Sequence, residues 1–88
     1  MITKKVKIVN PTGLHLRPAG VLCDTAMEFS CKVTFKTENN YEANAKSVLG
    51  VLGACVKSGE EIEIICDGDD EVEALKAVVE AIESGLGE

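Results

Sequence analysis

Apolar residues in this chain recur at two spacings, and the order in which those spacings alternate constrains the fold more than any single motif. Residues 2–9 run at period 2: Lys5 and Lys7 alternate with Val6 and Ile8, the pattern of a strand with one wet face. The turn cluster Asn10-Pro11-Thr12-Gly13 ends it. Over 16–29 the spacing becomes helical, with Ala19, Leu22, Ala26 and Phe29 on one stripe and Cys23 beside them. Pro18 is acceptable in a first helical turn, where N–H groups lack partners anyway, so the helix begins at Leu16 or at Pro18. Gly20 costs that helix about 1 kcal/mol against alanine, which predicts the close approach of another backbone.

Period 2 returns over 31–37, with Cys31, Val33 and Phe35 on one face and Lys32, Thr34 and Lys36 on the other. Glu38-Asn39-Asn40 signals a hairpin, and a short strand follows over 41–44. The apolar stretch 47–53 reads as a short helix, and Ser58-Gly59 as a turn. Ile62, Ile64 and Cys66 then share one face of a strand over 60–67. Asp67-Gly68-Asp69-Asp70 ends that strand and caps a helix over about 70–84, with Val72, Leu75, Val79 and Ile82 as its stripe and Gly85 at its C-terminal stop.

The order is β-α-β-β-α-β-α. Strands with one wet face favour an antiparallel sheet whose single apolar face takes all the helices. The expected fold is α+β: an open two-layer sandwich, a four-stranded antiparallel sheet covered on one face by three helices. With 88 residues, one domain over 1–88 is expected.

Net charge is −6 and the basic residues are not massed, which argues against direct nucleic-acid or anionic-membrane binding. No apolar run approaches the roughly 18 residues of a membrane span, and the start, MITKKVKIVN, has no signal-like apolar region. A soluble, cytoplasmic monomer is expected, without membrane insertion. Cys23, Cys31, Cys55 and Cys66 form no C-x-x-C pair, and three are in phase with apolar neighbours. They read as buried, reduced thiols, with neither metal nor cofactor implied. The acidic run Asp67 to Glu71 lacks EF-hand spacing and reads as a solvated turn and cap.

The lone histidine, His15, falls at the start of the first helix. Free amides and the positive dipole end make that place an anion site. Histidine is a poor N-cap compared with Ser, Thr, Asp or Asn, and a local rule is broken this way at functional sites. The positive helix end opposes a positive ring and favours a nucleophilic imidazole. The N–H groups of Leu16 and Arg17 would face a bound anion, and the Arg17 fork suits phosphate oxygens. Phosphoryl transfer asks for little beyond such positioning and charge. The segment has no P-loop and no obvious carboxylate to activate water, so it should pass phosphate between partners rather than bind ATP or hydrolyse.

The segment G-L-H-L-R-P-A over 13–19 resembles the active-site signature of HPr, the histidine-containing phosphocarrier family of the bacterial phosphoenolpyruvate–sugar phosphotransferase system. K-S-V-L-G-V-L-G over 46–53 resembles that family's regulatory-serine helix, and the element order and the ending G-L-G-E agree. The resemblance implies a carrier, not an enzyme. His15 would be phosphorylated on Nδ1 by phospho-enzyme I and would pass the group to enzyme II A domains. Arg17 matches the phosphate-contacting arginine. Ser47 matches the serine modified by the HPr kinase/phosphorylase of Gram-positive bacteria, whose product is corepressor to a catabolite-control transcription factor.

Val48, Leu49, Val51 and Leu52 surround the short helix, so some must be exposed. Val48, Leu49 and Leu52, with Leu16 and Gly20, are expected to form a partner-docking face around His15. Leu16 stands where the family commonly has a small residue, enlarging that rim. Asp24 and Met27 stand where many relatives are basic, weakening steering toward acidic partners. Rival readings are a small acyl-phosphate hydrolase using Arg17 and Asn44, a metal chaperone lacking the usual first-loop cysteine, and a regulatory or nitrogen-branch paralogue.

Overall fold

The computed structural model describes all 88 residues. The elements are β1 (Ile2–Lys7), α1 (Leu16–Met27), β2 (Lys32–Lys36), β3 (Glu42–Asn44), α2 (Val48–Gly53), β4 (Glu61–Asp67) and α3 (Glu71–Glu83). They form one four-stranded sheet in the order β1-β4-β2-β3, with every neighbouring pair antiparallel. The three helices cover one face of it, so the α+β open sandwich expected from the periodicities is the fold.

Strand parity builds the two faces. Val6 lies opposite Ile62, and Phe35 opposite Ile64; these residues point under the helices and are buried. Ala19, Leu22 and Ala26 of α1 and Val78 and Ile82 of α3 close over them in one core cluster. On the open face charge alternates across the strands, since Lys5 faces Glu63, Glu63 faces Lys36 and Lys36 faces Glu42. Opposite charges in facing positions favour this register over its one-residue slips, which would also turn the core outward.

Turns follow their sequence signals. Asn40 adopts a left-handed φ of 63° in the β2–β3 hairpin, a conformation asparagine tolerates. Gly85, at φ 96°, ends α3 in a Schellman arrangement: its N–H donates to Ile82 O at 3.1 Å, and Leu86 N–H to Ala81 O at 3.0 Å. Leu86 is thereby folded into the core.

Several boundaries and contacts differ from expectation. β1 ends at Lys7, although Ile8 still donates to Glu60 O at 2.9 Å. α1 runs from Leu16 to Met27, so Phe29 packs from the turn beyond the helix. The α3 stripe is Ala74, Val78, Val79 and Ile82. The helix turns its small Ala74 inward and leaves Val72 exposed at the sheet edge, near Ile2 and Lys4. The close backbone approach expected at Gly20 does not occur: a Cβ there would meet nothing within 4 Å.

Asp70 precedes α3 but makes no cap bond to it. Its carboxylate reaches across to the end of α1 instead, accepting from Ser30 N–H at 2.8 Å and Cys31 N–H at 2.9 Å. The Ser30 backbone bond is the main reason its carboxyl lies below the usual range. Gly68 allows this closeness, because a Cβ on it would come within 2.6 Å of the Cys31 Cβ. Cys23, Cys31 and Cys66 are buried free thiols, as their phasing implies, whereas Cys55 is exposed. Burial pushes the Cys66 thiol up to about 11. No helix is long and apolar enough to cross a membrane.

Candidate functional site

The loop from β1 to α1 is held from behind. Asn10 is buried; its backbone O accepts from Gly13 N–H at 3.3 Å and its side-chain Nδ2 donates to Gly13 O at 2.6 Å. Gly13 has φ 70° and lies flat on the 56–58 backbone: a Cβ would stand 2.6 Å from Val56 O and 2.8 Å from Lys57 Cα. Leu14 N–H donates to the same Val56 O at 3.0 Å, and its side chain is buried. Glycine is required here by both conformation and space. The next residue, His15, is thrust outward from a rigid base.

His15 is the N-cap of α1, with extended backbone (φ −75°, ψ −177°), and its side chain makes no cap bond. It is exposed. Its carbonyl accepts the first helical bond, from Ala19 N–H at 2.8 Å. A cap side chain ordinarily takes the N–H of the second or third helical residue. In α1 the third residue is Pro18, which has none. The N–H groups of Leu16 and Arg17 are therefore what this helix end offers an anion, and neither is bonded within the chain. Arg17 is exposed and makes no ion pair or hydrogen bond. The cap that starts α2 is the opposite case: Ser47 Oγ accepts from Gly50 N–H at 3.0 Å.

A groove of about 390 Å³ opens beside the ring, lined by Leu14, His15, Leu16, Leu52, Cys55, Val56 and Lys57. It brings together three of the sequence-predicted residues, His15, Leu16 and Leu52. Leu16 is 69% exposed and Leu49, on α2, 82%. Val48 is half-buried and Val51 fully buried, so α2 divides its apolar residues between core and surface. Ser47, Val48, Leu49 and Gly20 lie outside the groove itself.

The periodicities gave no sign of four residues at the site. Cys55 lines the groove in a left-handed conformation (φ 54°) that normally selects glycine. Asn10, Thr12 and Glu88 form a clasp: the Glu88 carboxylate accepts from Thr12 Oγ1 at 2.8 and 2.9 Å, from Thr12 N–H at 3.3 Å and from Asn10 Nδ2 at 3.1 Å. The Asn10 bond, then the Thr12 bonds, hold the Glu88 carboxyl below the usual range, with a smaller contribution from His15. Seventy-odd residues of sequence separate these partners, and no local signal joins them.

The chain resembles known proteins over nearly its whole length. Residues 2–84 match the family model described as the PTS HPr component phosphorylation site. The chain is 35% identical to the phosphocarrier protein HPr of Lysinibacillus sphaericus, each covered in full. It is 38% identical to the phosphocarrier protein NPr of Proteus mirabilis, covering 97% of this chain and 94% of that one. The crystal structure of HPr-C-His from Thermoanaerobacter tengcongensis superposes with a TM-score of 0.94 at 41% identity, covering 100% of this chain and 98% of the other.

Proposed function

The chain belongs to the HPr family of phosphocarrier proteins, and on that footing we propose that His15 takes a phosphoryl group from phospho-enzyme I and yields it to the A domains of enzymes II. Members of the family carry phosphoryl groups rather than turn over substrates. The carrying observation is the exposed, unbonded His15 imidazole at a helix start whose two free amides, Leu16 and Arg17, are unspent.

In the forward step the Nδ1 lone pair of His15 forms the bond to phosphorus. The bond to the donor's leaving atom breaks, and that atom keeps the electron pair. The α1 amides and the Arg17 guanidinium face the charge on the phosphoryl oxygens. Contacts of this kind are worth roughly 0.3–2 kcal/mol each, enough to favour the anion without trapping it. Leu16, Gly20, Val48, Leu49 and Leu52 supply the surface on which donor and acceptor dock in turn. Residues 1–88 act as one cytoplasmic unit in this reading.

Ser47 is assigned to regulation by the HPr kinase/phosphorylase, with the seryl-phosphorylated form meeting a catabolite-control transcription factor. A phosphate on Ser47 would stand at the start of α2, where helix amides favour negative charge, so its effect would be on docking rather than on the helix. A second reading is favoured by the likeness to NPr: the same histidine chemistry with other partners.

Incubation with phosphoenolpyruvate and enzyme I tests the proposal. Stoichiometric acid-labile phosphate, lost in His15→Ala, is expected; equal labelling of the variant would overturn it. Ser47→Ala should keep that label and lose ATP-dependent, acid-stable labelling by the kinase. Labelling by the donor that serves NPr, but not by enzyme I, would select the second reading.

A further inference from the structure

The charges of α1 run against its dipole. A helix favours carboxylates in its first turn and cations in its last. α3 obeys at its start, with Glu71 and Glu73 in the first turn. α1 has no acid in its first turn and no base in its last. It opens with Arg17 at the positive end and closes on Asp24 and Glu28 at the negative end. Asp24 and Glu28 are also like charges four residues apart, a pairing that destabilises a helix. Both are exposed, and neither carboxylate is ion-paired within the chain. Lys46 stands near this end, but its Nζ is engaged by Phe29 O at 2.6 Å. Nothing in the fold answers the arrangement, so its use lies outside the chain.

An apolar strip runs beside this line of charge. Leu16, Gly20 and Met27 follow one another at helical spacing along α1, and Leu16 and Met27 are exposed. The strip borders α2, because Cys23, on the same side of the helix, donates its thiol to Lys46 O at 3.2 Å. α2 adds the exposed Leu49. His15 stands where the strip begins. Asp24 lies nine residues further on, about 13 Å along the helix axis.

Resting on the reading of His15 as phosphoryl acceptor, we infer that this face receives the phosphoryl donor protein in one orientation, with an apolar hollow over Leu16, Met27 and Leu49 and a Lys or Arg of the donor opposite Asp24, about 13 Å from the phosphorus. Continuity decides the occupant: a donor must touch His15 to deliver its group, and the strip starts there. The free amides and Arg17 take the phosphoryl oxygens at one end of α1, and Asp24 and Glu28 take the donor's cation at the other. A donor turned end for end would set its phosphoryl group against two carboxylates and its cation against Arg17. The two-signed helix thus rejects the reversed encounter as well as favouring the productive one.

The test is steady-state phosphorylation of the chain by phospho-enzyme I from the same genome, or by the donor that serves NPr if that one labels His15, read as KM and kcat at low and high ionic strength. Asp24→Lys should raise KM by about 3- to 10-fold at low salt, leave kcat within about twofold, and lose most of its effect in about 0.5 M salt. Asp24→Asn should move KM the same way by less. Asp24→Lys should also raise the melting temperature, because it removes a carboxylate from the negative helix end and pairs with Glu28; this reading reports folding separately from docking. A KM that falls in Asp24→Lys shows a donor acidic at that point, one within about twofold of the parent shows a donor that does not reach it, and a rise that survives high salt shows a steric effect. Each of these overturns the inference while leaving the carrier reading intact. A parent chain that takes no phosphate on His15 from either donor removes both.

Discussion

Helix α1 has one end tied and one end open. Beyond Met27 the chain turns sharply and is held by other elements: Asp70 accepts from Ser30 and Cys31, and Lys46 Nζ donates to Phe29 O at 2.6 Å. At its start, His15 makes no cap bond, and the amides of Leu16 and Arg17 have no partner. Helix ends normally satisfy such groups, and an N-cap alone is worth about 1 kcal/mol. The open end is thus kept at the expense of stability, while the tied end fixes the helix that presents it. What is rigid here is the frame; what is unsatisfied is the helix start it presents.

The largest test of this contrast is behind the open end. Gly13→Ala forces a Cβ against the Val56–Ser58 backbone at a left-handed φ. It should cost about 2–5 kcal/mol, read from denaturant unfolding. A cost under about 1 kcal/mol would show that the loop is not braced as described.

At the tied end Asp70→Asn should lower the melting temperature at neutral pH. The Asp70 carboxyl is depressed in the folded chain, chiefly by the Ser30 N–H. The unfolded chain therefore binds more protons, and this contribution is present above a pH of about 4 and is lost as pH falls through the folded value. Acid unfolding of the variant should be correspondingly flatter below about pH 4 than that of the parent, whose Glu71 and Glu88 carboxyls are depressed in the same direction. Parallel acid-unfolding curves would remove Asp70 from the tie.

His15→Ser reverses the contrast. It installs a cap that can take the Arg17 N–H, and should stabilise the chain by about 0.5–1 kcal/mol while abolishing acid-labile labelling. A destabilised Ser variant would mean that the imidazole already does structural work.

Gly20→Ala should change stability by a similar amount and leave the label in place. Nothing lies within 4 Å of its position, so the substitution should stabilise by about 0.5–1 kcal/mol. Unchanged stability but weakened labelling by enzyme I would place Gly20 in the docking surface and not in the fold.

The layered fold was legible because period 2 and period 3.6 alternate cleanly and strand parity leaves one dry face. Val33 and Phe35 could point nowhere else once Lys32 and Lys36 were wet. His15 and Arg17 were legible because a helix start is a local event marked by Gly13 and Pro18. Contacts between distant segments were not. The Asp70 carboxylate looks like a cap from its neighbours, yet serves Ser30 and Cys31, forty residues away in sequence. Gly20 shows the reverse error: glycine has several reasons to occur in a helix, and one sequence does not say which applies. The Val72 misphasing came from counting large apolar residues where the helix buries small Ala74. The Glu88 clasp depends on where the tail folds back, which the Schellman turn at Gly85 decides in three dimensions.

The order β1-β4-β2-β3 also bears on biosynthesis. The first strand pairs with the last, and the loop bearing His15 leans on residues 56–58, so a nascent chain holds its histidine long before it holds the support behind it. Closing so long a span is slow relative to local pairing. The frame behind the His15 loop therefore arrives late, and an interrupted translation product would display that loop without the 56–58 backbone it leans on.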